Sequence, residues 1–289
     1  MALKPVDAAS VASPHRATFV LSTGRCGTQW LTTALAAVVG ADARVEHEPL
    51  HDRYAARRML GVREPAELGE KTAAPILAHG TTIERELAWR DYIETGHPCW
   101  SSIPWLARRL AGQVRVVHLV RHPVPTACSW LSHGAFVPPL LPHMPVKEFI
   151  APTDAGVSFP EYRESWAGLA PVEKALVYWA EVNAFALRQE RELGVPWLRI
   201  HYEALFDPAS EALARLVAFL GLPAGAEQSI DRGERVDRYH YGLAGWPEPE
   251  RIARHPRVIA MAEALGYRAA EYVPQALANR FFGNEGESA

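Results

Sequence analysis

The chain has 289 residues, a formal net charge of −3, 48% hydrophobic and 22% charged residues. These are ordinary globular values. The balanced charge argues against a general nucleic-acid or membrane-surface binder, so any anion site must be a local cluster of Arg and Lys. Three widely spaced cysteines, Cys26, Cys99 and Cys128, suggest neither a disulfide framework nor a zinc knuckle. No apolar run approaches the ~18–20 residues of a membrane helix, and the N-terminal MALKPVDAASVASPHR has no apolar core of a secretory signal. A cytoplasmic protein without a membrane span is expected.

In chain order, residues 1–16 are rich in Ala, Ser and Pro and read as a flexible arm. Thr18–Leu21 is a short apolar run entering Ser22-Thr23-Gly24, the pattern of a buried strand and turn. Helical spacing follows over Gln29–Val39, stopped by Gly40, with a second strand near Ala43–Glu46. Residues 51–60 and 81–95 read as helices. Val114–Val120 (VRVVHLV) is a near-continuous apolar run, as expected of a parallel strand buried on both faces. Pro123 opens the next helix, and the four prolines of 137–145 mark an irregular loop. A long helix over 171–193 ends at Gly194, and a strand over Trp197–His201 and a helix over Ser210–Leu220 follow. The alternation predicts an α/β fold with a central parallel sheet and helices on both faces. One domain is expected over 17–273, with a tail over 274–289.

Two segments carry anion-binding chemistry. In Ser22-Thr23-Gly24-Arg25-Cys26-Gly27-Thr28-Gln29 a strand feeds a glycine-containing turn and then a helix. Such a turn aims backbone N–H groups at an anion, and the helix N-terminus adds partial positive charge. Arg25 adds a full charge and Thr28 a hydroxyl. The triphosphatase pattern GxxxxGK[ST] is absent, because Thr28 and Gln29 follow Gly27. The second segment, Arg121 to Ser129, leaves the strongest strand at the sheet edge where α/β folds bind ligands. Arg121 and Ser129 could grip one phosphate between them.

Together these segments resemble the sulfotransferase family that uses 3′-phosphoadenosine 5′-phosphosulfate (PAPS). Ser22 to Trp30 is similar to the family's PKSGTTW-like 5′-phosphosulfate loop, with Arg25 on its lysine, Gly27 on its glycine, Thr28 on its threonine and Trp30 on its tryptophan. Arg121 and Ser129 fall on its 3′-phosphate pair. Trp179, Asn183 and Pro196-Trp197-Leu198-Arg199-Ile200-His201-Tyr202-Glu203-Ala204-Leu205 resemble its W…N…P-W-x-x-I-x-Y-E-x-L region. The resemblance implies a P-loop-like sulfotransferase fold, PAPS as donor, and a small-molecule or glycan acceptor with a hydroxyl or amine. It implies no metal. Arg stands in place of the loop lysine, residues 50–110 match poorly, and the family's C-terminal RKG-type loop is not visible. Arg232, Arg235 and Arg238 lie where a substitute would be sought, although a solvated basic turn explains them as well.

Transfer needs a base for the acceptor proton. The segment Glu46-His47-Glu48-Pro49-Leu50-His51 follows the second strand. Glu48 ranks first, because a residue before proline leaves the strand extended; His47 and Glu46 follow. A structural ion pair to Arg25, Arg53 or Arg57 is the competing role for these carboxylates. Glu70-Lys71-Thr72 resembles a string of the glycan-modifying branch in which the lysine faces the transferring group, so Lys71 is a second cation candidate. His118 reads as a core histidine, and Trp166 as a candidate acceptor contact. Two other functions use the same anion sites: a non-catalytic adenosine 3′,5′-bisphosphate binder, and a kinase on a related fold.

Overall fold

Every residue of Ala17–Leu21 (β1) is buried, and so is nearly all of Val114–Val120 (β4). A strand apolar on both faces must lie inside a sheet covered twice. In the computed structural model, which describes residues 14–50, 56–96, 98–137, 149–233 and 249–268, these two strands pair in parallel at the sheet's centre. Ala43–His47 (β2), Asp91–Thr95 (β3) and Trp197–His201 (β5) complete a five-stranded parallel sheet of order β2-β3-β1-β4-β5. Side chains alternate between its faces. Phe19, Leu21, Val116 and Val120 enter one core, and Val20, Val117 and Leu119 enter the other. Each such fully buried side chain contributes roughly 1.5–3 kcal/mol.

Helices Thr28–Val39 (α1) and, late in the chain, Ala212–Phe219 share the core of Val20 and Leu119. Glu70–Glu86 (α2), Ile103–Arg109 (α3), Pro123–Ser132 (α4) and Pro171–Glu192 (α5) cover the opposite face. The short helix Tyr202–Phe206 (α6) precedes Ala212–Phe219 (α7), and Pro249–Ala253 (α8) and Pro256–Ala264 (α9) follow. Among the described residues no helix is long and apolar enough to cross a membrane.

Strands β1, β4 and β5, helices α1 and α5, and the proline-led start of α4 lie where the sequence places them. The expected helix over 81–95 does not form. Helix α2 starts earlier, at Glu70, and ends at Glu86, and residues 91–95 are strand β3. Strand β3 lies between β2 and β1, and because all three run parallel the segment after β2 emerges at the same sheet edge as the turn after β1. Of the helix expected over 51–60, the described part is a 3-10 turn at Ala56–Met59. The proline loop from Pro138 onward, arm residues 1–13 and the tail 274–289 lie outside the described residues. Arg16 is tied to the fold, its N–H donating to Asp91 Oδ1 at 2.9 Å.

His118 is a core histidine, as expected. Its Nε2 lies 2.9 Å from Asn183 Oδ1, and Arg199 Nε–H donates to its Nδ1 at 3.3 Å. Nδ1 must then be unprotonated, and burial pushes the imidazole down to about 3. A histidine held neutral in the fold takes up a proton on unfolding below its ordinary value of ~6.5, so its stabilisation is lost as pH falls from there toward 3. Between pH 7 and pH 5 the wild-type chain should lose about 2 kcal/mol more unfolding free energy than His118→Gln. Denaturant titrations with equal pH dependence for both proteins would refute this.

Candidate active site

The turn after β1 is held by its own side chains. Ser22 Oγ accepts from Gly24 N–H at 3.2 Å, Thr23 Oγ1 donates to Gly24 O at 3.1 Å, and Cys26 Sγ donates to the same carbonyl at 3.2 Å. Trp130 Nε1 donates to Thr23 O at 3.2 Å and pins the turn to α4. Thr23 and Cys26 thus shape the loop from inside. Burial pushes the Cys26 thiol up to about 11 and that of Cys128 up to about 12, so neither is a thiolate nucleophile.

Three departures from ordinary backbone within four residues bring the chain into α1: Gly24 at φ 74, Arg25 at φ 56 and Gly27 at φ 74. Gly27 has a second reason to lack a side chain. A Cβ there would lie 2.7 Å from Tyr202 Cε2, a ring packed directly beneath the loop. Helix α1 makes its first backbone bond from Leu31 N–H to Gly27 O and has no side-chain cap. The N–H groups of its first turn are therefore oriented for an anion. Thr28 is buried there, whereas Gln29 is exposed.

The end of β4 meets this loop. Buried Arg121 donates from Nη1 to Arg25 O at 2.6 Å, and its guanidinium stacks on Tyr202 at 4.6 Å from the ring centroid. Arg25 Nε–H in turn donates to Ser129 Oγ at 2.9 Å. The two anion segments found in the sequence therefore form one cationic site. Arg25 lies between Arg121 and Ser129, and Tyr202 supports both loop and guanidinium. Tyr202 was visible in the sequence only as part of a motif string.

On the other side of α1, His47 Nε2 lies 3.2 Å from Thr28 Oγ1. Thr95 Oγ1 donates to Thr28 O at 3.2 Å, and Thr95 O accepts from Glu48 N–H at 2.9 Å. Through Thr95, strand β3 links Glu48 to the phosphate loop across the intervening strand. Glu48 is not extended, as expected before Pro49, but takes a positive φ of 47°. Such backbone costs a non-glycine residue on the order of 1–3 kcal/mol and persists where the surroundings impose it. Here Gly96 makes the room: a Cβ at that position would lie 2.3 Å from Glu48 Cγ. Glu48 Oε1 stands 3.9 Å from His47 Nε2.

Glu46 points to the other face. Its partners are Arg44 Nε at 2.7 Å and Tyr92 OH at 2.9 Å, not Arg25. The single Tyr92 hydroxyl proton is shared with Glu94 Oε2, 3.0 Å away, and Glu94 pairs with His79 at 2.7 Å. Burial opposes charge on both members of that pair, yet their mutual attraction raises His79 and lowers Glu94 from their ordinary values. This ion pair lies within the sheet's helical cover and keeps β3, and hence Gly96, in place. Lys71 is exposed in the first turn of α2 and makes no hydrogen bond or ion pair among the described residues. Arg232 donates to Asp207 O at 2.7 Å, while Arg235, Arg238, His51 and Arg53 lie outside the described residues. Trp166 packs edge-on against Phe136 at 6.0 Å, with Lys174 Nζ 5.7 Å from its ring centroid.

A solved sulfotransferase from Alicyclobacillus acidocaldarius matches with a TM-score of 0.50 at 15% identity, covering 91% of this chain and 99% of that one. This chain has the P-loop-like sulfotransferase fold. The sulfotransferase domain of the Synechococcus PCC 7002 olefin synthase gives a TM-score of 0.48 at 18% identity, covering 94% of this chain and all 100% of that one. Mouse sulfotransferase SULT7A1, complexed with PAP, gives 0.48 at 17% identity, with 89% of each chain covered. No family model and no curated protein matches the chain. Within the sulfotransferase fold, the cationic site stands at the C-terminal ends of β1 and β4, and Glu48 just beyond β2.

Proposed function

We propose that residues 17–273 form a domain that transfers a sulfuryl group from PAPS to a hydroxyl or amine of a small-molecule or carbohydrate acceptor. The observation that carries this reading is the convergence of Arg25, Arg121 and Ser129 at the N-terminus of α1. Two guanidinium groups, a buried serine hydroxyl and an open helix start suit a donor with anionic groups on both the 3′ and 5′ sides of its adenosine. When bound, PAPS supplies the activated sulfuryl group.

The chain's own residues supply position and charge. Arg25 and the start of α1 neutralise charge on the 5′ side, and Arg121 with Ser129 holds the 3′-phosphate. His47 keeps the Thr28 hydroxyl in place. Glu48 takes the proton of the attacking hydroxyl or amine as its oxygen or nitrogen bonds to sulfur and the sulfur–oxygen bond to the 5′-phosphate breaks. Lys71, exposed in the first turn of α2, stays the second cation candidate for the transferring group. A non-catalytic bisphosphate binder would use the same arginines but would have no use for a strained carboxylate at the same edge of the sheet. The chain should consume labelled PAPS in the presence of EDTA with a suitable acceptor and leave ATP untouched. ATP consumption that requires Mg²⁺ would instead establish a kinase.

A further inference from the structure

The backbone around Arg121 leaves the sheet and must find its hydrogen bonds elsewhere. Three side chains provide them. Trp179 Nε1 donates to Arg121 O at 2.9 Å. Glu203 Oε1 accepts from His122 N–H at 3.0 Å. Tyr267 OH reaches both Glu203 Oε2 at 2.8 Å and Val120 O at 3.3 Å. The carbonyl just before Arg121 and the N–H just after it are thus tied to the same tyrosine, the second through Glu203.

Tyr267 comes from the far end of the chain, and its placement is built into the local sequence Leu265-Gly266-Tyr267. Gly266, at φ 84, ends α9 with paired bonds from Gly266 N–H to Glu263 O at 2.9 Å and from Tyr267 N–H to Ala262 O at 2.8 Å. This is the Schellman stop that glycine favours after a helix. The helix is anchored by fully buried Val258 and Ala262. His201 Nε2 donates to Leu265 O at 2.8 Å, fixing the turn to the end of β5. The Tyr267 ring then lies edge-on to His122, with centroids 5.2 Å apart.

We propose that Leu265–Tyr267 is a strap that sets the position of Arg121, making Tyr267 and Glu203 positioning residues for the 3′-phosphate. This rests on the donor-site assignment above. The strap holds the backbone before Arg121 directly and the backbone after it through Glu203, so it acts on donor affinity through the guanidinium. It also makes the anion site depend on residues nearly 150 positions apart, since the Tyr267–Val120 bond spans 147.

Calorimetry with adenosine 3′,5′-bisphosphate and with adenosine 5′-phosphate tests the strap without turnover. Tyr267→Phe keeps the ring and loses both hydroxyl contacts. It should weaken the bisphosphate about tenfold, no more than the loss expected when the Arg121 guanidinium itself is removed, and the monophosphate less than about twofold, because only the bisphosphate uses that guanidinium. Glu203→Gln keeps an acceptor for His122 N–H and should cause a smaller loss with the same selectivity. Unchanged affinities in Tyr267→Phe, or equal losses for both ligands with a lowered melting temperature, would overturn the strap and leave the donor assignment intact. A wild-type chain that binds neither nucleotide would overturn the donor assignment and the strap with it.

Discussion

Glu48→Gln is expected to lower kcat by about 10²-fold or more while leaving adenosine 3′,5′-bisphosphate affinity almost unchanged. The glutamine keeps the size and hydrogen-bonding reach of the side chain but cannot take the acceptor's proton. The structure adds two reasons to look here. The left-handed backbone of Glu48 is held by the bond to Thr95 O, and Gly96 leaves its side chain room that any Cβ would fill. The matched controls differ in what they touch. His47→Asn loses the contact to Thr28 and should alter donor handling as well as rate. Glu46→Gln loosens the pairing with Arg44 and Tyr92 on the opposite face, and should mainly reduce stability. If Glu46→Gln or His47→Asn abolishes turnover while Glu48→Gln stays active, the base has been assigned to the wrong residue.

Arg121→Ala should weaken adenosine 3′,5′-bisphosphate by about 1.5–3 kcal/mol, the range for a hydrogen bond to a charged group. Adenosine 5′-phosphate should lose much less, since it has no 3′-phosphate for this side chain to hold. Part of the loss would come through Arg25, whose carbonyl accepts from Arg121, and through Tyr202, whose ring the guanidinium covers. Arg121→Lys is therefore not expected to restore full affinity, because an ammonium cannot stack and bridge as the planar fork does. Equal losses for both nucleotides would place Arg121 in general support of the loop.

The strands that carry the candidate site were legible because each is an apolar run too short for a helix and ends in a turn. Strand β3 was not. Asp91-Tyr92-Ile93-Glu94-Thr95 carries two acids in five residues, and the pairs Ile83/Leu87 and Trp89/Ile93, each four apart, imitate helical spacing. Glu94 is tolerated inside because His79, fifteen positions earlier, pairs with it and Tyr92 OH adds a hydrogen bond. The same blind spot hid the link from Glu48 to Thr28, which runs through Thr95. The conformation of Glu48 was also misjudged, because Pro49 argued for an extended residue while the space left by Gly96, 48 positions away, lets it turn. The arginines of the candidate site were singled out in the sequence, but their contacts bridge 96 and 104 residues, distances at which no local pattern reports.

Those long spans set the order in which the protein can acquire its site. Arg25 meets Ser129 and Arg121 only after β1 and β4 have paired in register, and the ring beneath Gly27 arrives with the residue that follows β5. Pairings this far apart in sequence close late and slowly, because loop entropy must be overcome before the contacts are gained. During synthesis, a ribosome-bound chain that ends before Tyr202 would carry the loop sequence without its floor. A donor that binds as proposed would then have nothing complete to bind until β5 is in place, and would stabilise the finished fold without templating its assembly.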